Sequence, residues 1–169
     1  AAAAVARLLE VPVEEIQRGL SQFHSMEGRQ EIYEAGGYTI IQDCYNAGPE
    51  SMAASLAVLG KRRGRRIAVL GDMLELGDYS KQAHYEAGQC AAQEDIDIIF
   101  CFGAQSIAAA QGAREACSGR GDKEILYFTD KEEMTKELLS LVEEGDILWF
   151  KASRGMKLEE VLSRLYERF

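Results

Sequence analysis

The sequence predicts an α/β fold, with a doubly wound, mostly parallel sheet and an antiparallel hairpin along its amino-terminal edge. Three observations carry this. From residue 38 onward, short apolar β-prone runs alternate with helix-period segments, the pattern of a parallel sheet covered on both faces. Ahead of that alternation, two β-prone runs are joined by Gly36-Gly37, a pair suited to a tight hairpin turn. Two polar loops follow strands, at 43–49 and 151–156, which is where such sheets hold their ligands.

The elements follow in order. Residues 1–10 read as the second half of a longer helix, so the chain is expected to be a fragment of a longer protein. Val11-Pro12 breaks that helix, since proline removes a backbone donor. A second helix spans Val13–Phe23, with Val13, Ile16, Leu20 and Phe23 at i, i+3/i+4 spacing. Ser25–Gly28 is a linker. The hairpin strands are Arg29–Ala35 and Tyr38–Gln42. Helix and strand then alternate: helix Pro49–Leu59, strand Arg66–Leu70, helix Ser80–Gln93, strand Asp97–Phe102, helix Ala104–Cys117 and strand Glu124–Phe128. Helix Asp130–Glu143, strand Asp146–Phe150 and helix Lys157–Arg168 complete the chain. Thr129 or Asp130 can cap the sixth of these helices, with Glu132 or Glu133 closing a capping box.

The 169 residues suffice for one substantial domain with its own core. A net charge of −9 argues against a general nucleic-acid or membrane-surface binder, because both need a basic face. No apolar run reaches the ~20 residues of a membrane span, and the start lacks the basic segment and cleavage pattern of a signal peptide. The cysteines at 44, 90, 101 and 117 form no Cys-x-x-Cys pair, and the only histidines are His24 and His84, so a metal site is not expected. Cys101 lies within an apolar strand and reads as core. The cysteine pattern suits a reduced, cytoplasmic protein.

Candidate chemistry gathers in the loops. Asp43 ends its strand, where a carboxylate either accepts ribose hydroxyls or caps its own turn. Tyr45 is a core aromatic or a platform for a base. Asn46 and Pro49 fit the same loop. Arg29 opens the hairpin, and a crevice-facing guanidinium there would grip phosphate oxygens in pairs. Lys151, Ser153 and Arg154 place three donors within four residues just past a buried strand, a compact anion site or a solvated helix start. Gly71-Asp72-Met73-Leu74-Glu75-Leu76-Gly77 either lines a site or turns the chain, and His84 follows one turn into the next helix. The basic run Lys61–Arg66 sits at the opposite end of the sheet and reads as a solvated turn. No Gly-x-Gly-x-x-Gly opens a helix and no Gly-x-x-x-x-Gly-Lys-Ser/Thr is present, so neither a dinucleotide fingerprint nor a phosphate loop is found. Ser153 has no Gly-x-Ser-x-Gly elbow, which argues against a nucleophile.

Gly28-Arg29, the run from Asp43 to Met52, the run from Leu70 to Gly77, His84 and the run from Lys151 to Met156 occur in an order and spacing that resemble the carboxyl-terminal domain of a Mur ligase. The resemblance covers essentially the whole chain and implies a Rossmann-like lid. Residues 1–27 would be the helical tail of a missing central ATPase domain and 28–169 the lid itself. It implies an ATP-dependent, amide-forming ligase of peptidoglycan synthesis that adds D-alanyl-D-alanine to UDP-N-acetylmuramoyl tripeptide through an acyl phosphate. ATP and magnesium would be held mainly by the missing central domain, and the fragment alone would be inactive. On the same grounds Arg29 would contact ATP phosphates and Asp43 the ribose, with Tyr45, Asn46 and Pro49 shaping the nucleotide side. Lys151, Ser153 and Arg154 would hold the dipeptide carboxylate, Lys151 as the catalytic cation. Glu75 and His84 match the family pattern without an assigned role. The chain departs from that pattern at Gly48, where a second Asn is usual, at Cys44, where an acid is common, and at Ala152, where Gly is usual.

Two other readings remain open at this level. One is a flavodoxin-like phospho-accepting domain with Asp43 as acceptor and Lys151 as its partner. It leaves the hairpin, Arg29 and the Gly71 loop unexplained, and lacks the extra acidic pair that magnesium needs. The other is a non-catalytic binding module with a vestigial crevice.

Overall fold

The computed structural model describes residues 1–22, 28–118 and 123–167. Two short helices, α1 (Ala2–Leu8) and α2 (Val13–Ser21), come first and bury no residue. The sheet has six strands in the order β1-β2-β6-β3-β4-β5. These are β1 (Glu31–Ala35), β2 (Tyr38–Asp43), β3 (Arg66–Gly71), β4 (Ile98–Phe102), β5 (Glu124–Phe128) and β6 (Ile147–Lys151). Only β1 and β2 pair antiparallel, through Ala35 opposite Tyr38. Gly36 and Gly37 both take positive φ, 58° and 85°, which a two-residue hairpin turn requires.

The four central strands, β2, β6, β3 and β4, are buried on both faces because their residues alternate between two apolar clusters. Ile41, Ala68, Leu70, Ile99, Cys101 and Trp149 face α3 (Pro49–Leu59), α4 (Ser80–Gln93) and α5 (Ser106–Cys117). Ile40, Ile67, Val69, Phe100, Leu148 and Phe150 face α6 (Lys131–Leu141) and α7 (Glu159–Tyr166). The architecture is therefore the doubly wound, mostly parallel sheet with an antiparallel edge that the sequence predicts. Between α4 and α5 the packing is unusually close. A Cβ placed on Gly88 would lie 1.8 Å from the Ala109 carbonyl oxygen, and one on Gly112 would lie 2.1 Å from that of Tyr85.

Several boundaries differ from expectation. β1 begins at Glu31 rather than Arg29, because Gln30 takes a left-handed φ of 49° that ends regular pairing. The last helix starts at Glu159, not Lys157: Arg154–Met156 forms a 3₁₀ turn and Lys157 caps it at φ 52°. α5 starts at Ser106 instead of Ala104. Asp130 is the cap of α6, accepting the Glu133 N–H at 2.8 Å. The basic run is not simply solvated, since Arg66 opens β3 and pairs with Asp95 at 2.6 Å and Asp97 at 3.2 Å, while Arg65 reaches Asp146 at 3.5 Å. The expected linker residues Ser25–Glu27, together with Phe23, His24 and Arg168, lie outside the described residues.

Candidate functional site

Topology brings the candidate loops to one edge. β2, β6 and β3 are parallel neighbours, so the segments after Asp43, Lys151 and Gly71 emerge together at their carboxyl ends. β1 runs the other way, with Glu31 opposite Gln42, and so Arg29, two residues ahead of it, returns to that same edge. Tyr45 donates its backbone N–H to the Gly28 carbonyl at 3.0 Å, which ties the hairpin entrance to the first loop.

Three exposed side chains meet there. The Arg29 guanidinium carbon lies 4.2 Å from the centre of the Tyr45 ring, and that of Arg154 lies 5.4 Å from it. The π-face of tyrosine attracts cations, so one ring gathers the cation expected on the nucleotide side and a cation expected on the dipeptide side. Tyr45 is thus engaged by guanidinium groups and is not a core residue. Among the described residues neither guanidinium is in an ion pair with a carboxylate, whereas Arg18, Arg65, Arg66 and Arg164 each are.

Beneath them lies a sealed pair. In the register Asp43 sits beside Lys151, so both side chains share a sheet face, and the Lys151 ammonium donates to Asp43 Oδ2 at 2.6 Å. The ammonium also lies 3.5 Å from the Asn46 carbonyl oxygen, and Ser55, buried on α3, donates to the same carboxylate oxygen at 3.3 Å. Lys151 is 2% exposed and Asp43 6%. The structure therefore joins two residues to which sequence reasoning gave separate ligands, and each satisfies the other. Ser55 was missed, because only the folded sheet brings α3 over Asp43.

The rest of the second loop is stitched to the third. Ser153 is buried; its N–H donates to the Asp72 carbonyl at 3.1 Å and its hydroxyl oxygen accepts the Leu74 N–H at 2.9 Å. The Asp72 carboxylate accepts from the Ser106 N–H at 2.8 Å, the Ser106 hydroxyl at 2.6 Å and the Gln105 N–H at 3.1 Å, capping α5. Gly103, at φ 119°, leaves room for that carboxylate, since a Cβ there would lie 2.5 Å from it. Sequence reasoning gave Asp72 no role; its partners lie more than thirty residues away, with only the Gly-Asp pair after a strand as a signal. Glu75 is exposed at φ 65° and has no side-chain partner among the described hydrogen bonds. His84 is buried one turn into α4, bonded to the backbone at Met73 and Ser80. Pro49 occupies the first turn of α3, and the Ser51 hydroxyl accepts the Gly48 N–H at 3.2 Å.

The three departures have physical accounts. Cys44 points inward and donates to the Phe150 carbonyl at 3.5 Å, and burial pushes its thiol up to about 12. Gly48 has extended backbone, and a Cβ placed on it would meet nothing within 4 Å, so a side chain fits there. Ala152 is accommodated because its neighbour is Gly71: a Cβ on Gly71 would lie 2.7 Å from that of Ala152.

Residues 28–154 match the family described as Mur ligase, glutamate ligase domain. The chain belongs to the Mur ligase family. This Mur ligase domain is 34% identical over 170 residues to the UDP-N-acetylmuramoyl-tripeptide--D-alanyl-D-alanine ligase of Bacillus subtilis, covering 99% of this chain and 36% of that protein. It is 33% identical over 170 residues to the Escherichia coli ligase of the same name, with the same two coverages of 99% and 36%. Its fold is similar to a MurF ligase of Thermotoga maritima in complex with ADP, at TM-score 0.79 and 31% identity over 99% of this chain and 36% of that one. It is also similar to MurF of Acinetobacter baumannii, at TM-score 0.85 and 32% identity over 98% of this chain and 36% of that one. The Mur ligase domain therefore spans about a third of the length of these relatives. Membership of the family sets aside the flavodoxin-like phospho-accepting alternative.

Proposed function

We propose that this chain is the carboxyl-terminal domain of an ATP-dependent ligase that joins D-alanyl-D-alanine to UDP-N-acetylmuramoyl tripeptide in peptidoglycan synthesis. ATP would transfer its terminal phosphoryl group to the tripeptide carboxylate, releasing ADP, and the dipeptide amine would attack the resulting acyl phosphate, losing a proton as the amide forms and phosphate leaves. The observation that carries this reading is the gathering of Arg29, Tyr45 and Arg154 beside the Asp43–Lys151 pair at one sheet edge, in a chain similar throughout to ligases of that name.

The exposed cations fit anionic ligands. Arg29 would hold ATP phosphates, with Tyr45, Asn46 and Pro49 shaping the nucleotide side. Arg154 would take the dipeptide carboxylate, and Ser153 fixes the loop that presents it. Asp43 and Lys151 neutralise each other, so either would reach ribose or substrate only by giving up the other. Their first task is to hold the β2 and β6 loops in register, which is catalysis by positioning. Magnesium would travel with ATP and be held chiefly outside this chain: among the described residues no three His, Cys, Asp or Glu side chains gather as a ligand set. Residues 1–27 would belong to the central ATPase domain, in keeping with exposed Val5, Leu8, Leu9, Val13 and Leu20 on helices that bury nothing. We place the reaction in the cytoplasm; among the described residues no helix is long and apolar enough to cross a membrane.

The test is phosphate release by the intact ligase with ATP and UDP-N-acetylmuramoyl tripeptide, with and without D-alanyl-D-alanine. Release that depends on the dipeptide supports the reading. Release that ignores it overturns the substrate and favours a binding module.

A further inference from the structure

His84 is 2% exposed, and both of its ring nitrogens are engaged by main-chain groups. Nδ1 lies 2.7 Å from the Ser80 carbonyl oxygen. A carbonyl only accepts, so Nδ1 carries the proton. Nε2 lies 2.9 Å from the Met73 backbone nitrogen. A backbone amide only donates, so Nε2 is the bare nitrogen. The ring is therefore neutral and held in one tautomer by two main-chain partners that cannot exchange roles, with the Ser80 hydroxyl, which can act either way, farther from Nδ1 at 3.4 Å. The Asp72 carboxylate stands 3.8 Å from Nε2, but Ser106 and Gln105 already occupy it.

The bond to Met73 sits in the middle of a three-residue anchor. On one side the Asp72 carbonyl accepts the Ser153 N–H, and on the other the Leu74 N–H reaches the Ser153 hydroxyl. Asp72, Met73 and Leu74 are thus tied in succession to Ser153, His84 and Ser153 again. The Asp72 carbonyl and the Met73 N–H belong to one planar peptide group, so its rotation would break the bond from the Ser153 N–H directly and swing the adjoining Met73–Leu74 peptide away from the Ser153 hydroxyl. Arg154, which lies over Tyr45, is the next residue.

We infer that His84 is a positioning residue. Its neutral imidazole fixes the Met73 peptide, which fixes Leu74 against Ser153 and so aims the Ser153–Arg154 loop into the crevice. The catalytic consequence rests on the ligase reading above; the structural relay does not.

The relay is tested in this chain by amide NMR. His84→Gln keeps an acceptor for the Met73 N–H, whereas His84→Ala and the bulkier His84→Leu do not. The expected result is that Ala or Leu shifts the Met73, Leu74 and Ser153 amides and speeds Leu74 exchange roughly ten-fold or more, while Gln leaves Leu74 and Ser153 near their original positions. Unmoved Leu74 and Ser153 amides would overturn the relay, and so would unfolding of both Ala and Leu variants, which would make His84 a purely structural residue. In the intact ligase, His84→Leu should raise the KM for the dipeptide roughly ten- to hundred-fold through misplacement of the loop, with Gln near wild type. In a Ser153→Ala background the same change should add little. Losses that multiply would show that His84 does not act through Ser153. An intact wild-type enzyme indifferent to the dipeptide would sink the ligase reading and leave the amide experiment to decide His84.

Discussion

Lys151 Nζ and Asp43 Oδ2 lie 2.6 Å apart where β6 and β2 end side by side, two residues from Tyr45 and three from Arg154 in the chain. A sealed pair of this kind punishes removal of one partner more than removal of both, since the survivor is left charged and unsolvated. Lys151→Met is therefore expected to cost about 3–5 kcal/mol. At about 2–4 °C per kcal/mol for a chain this size, Tm falls by roughly 10 °C. Asp43→Leu combined with Lys151→Met should recover most of that loss. Thermal unfolding followed by circular dichroism checks both, and a single variant as stable as the parent would mean the pair adds nothing to the fold.

Tyr45 serves the two guanidinium groups through its ring, not its hydroxyl. Tyr45→Phe in the intact ligase should leave the KM for ATP within about two-fold, because the π-face is retained. Tyr45→Leu removes one exposed cation–π contact of about 0.5–1 kcal/mol from each arginine, which corresponds to a rise of roughly two- to five-fold in the KM for ATP through Arg29 and a similar rise in the KM for the dipeptide through Arg154. Steady-state kinetics over a range of ATP concentration separates the two variants; equal effects would point to the hydroxyl.

The glycines divide by what surrounds them. Gly88→Ala gains about 1 kcal/mol of helix propensity but drives a methyl into the Ala109 carbonyl, 1.8 Å from its ideal position. The α4–α5 pair must separate, and we expect a net loss of about 1–3 kcal/mol, seen as a lower urea midpoint. Gly48→Asn meets nothing within 4 Å and restores a favoured helix cap, so it should be neutral or stabilising by a few tenths of a kcal/mol.

Burial raises the Cys44 and Cys101 thiols from 9.0 to about 12. Both stay protonated in the native state at pH 8, and the thiolate is the reactive form. Ellman's reagent should therefore leave them unmodified until denaturant is added; rapid modification at native pH would contradict their burial. Because the folded state holds these protons more tightly than the unfolded chain, their contribution to stability is complete below about pH 9. It is lost as pH climbs toward 12.

Much of the site was legible as position in the chain. Arg29, Asp43, Tyr45, Lys151, Ser153 and Arg154 were each visible as polar or aromatic groups flanking apolar runs, and strand ends in an α/β sheet are where such groups act. Their pairings were not legible. Asp43 and Lys151 are separated by 108 positions, and nothing local distinguishes a cation awaiting a substrate from one already neutralised. Ser55 and Asp72 were passed over for the same reason, since their partners come from other loops and helices.

The alternation of apolar runs with helix-period segments, and the two glycines at 36 and 37, were enough for the sequence alone to determine the sheet, its two covered faces and its antiparallel edge. These follow from hydrophobic period and local backbone freedom, which act over a few residues. Only the tertiary structure decided that Tyr45 gathers two arginines, that Lys151 is spent on Asp43, and that His84 reaches Ser153 through Met73 and Leu74. Those contacts join residues far apart in the chain, and they exist only after strand order and register have brought three loops to one edge.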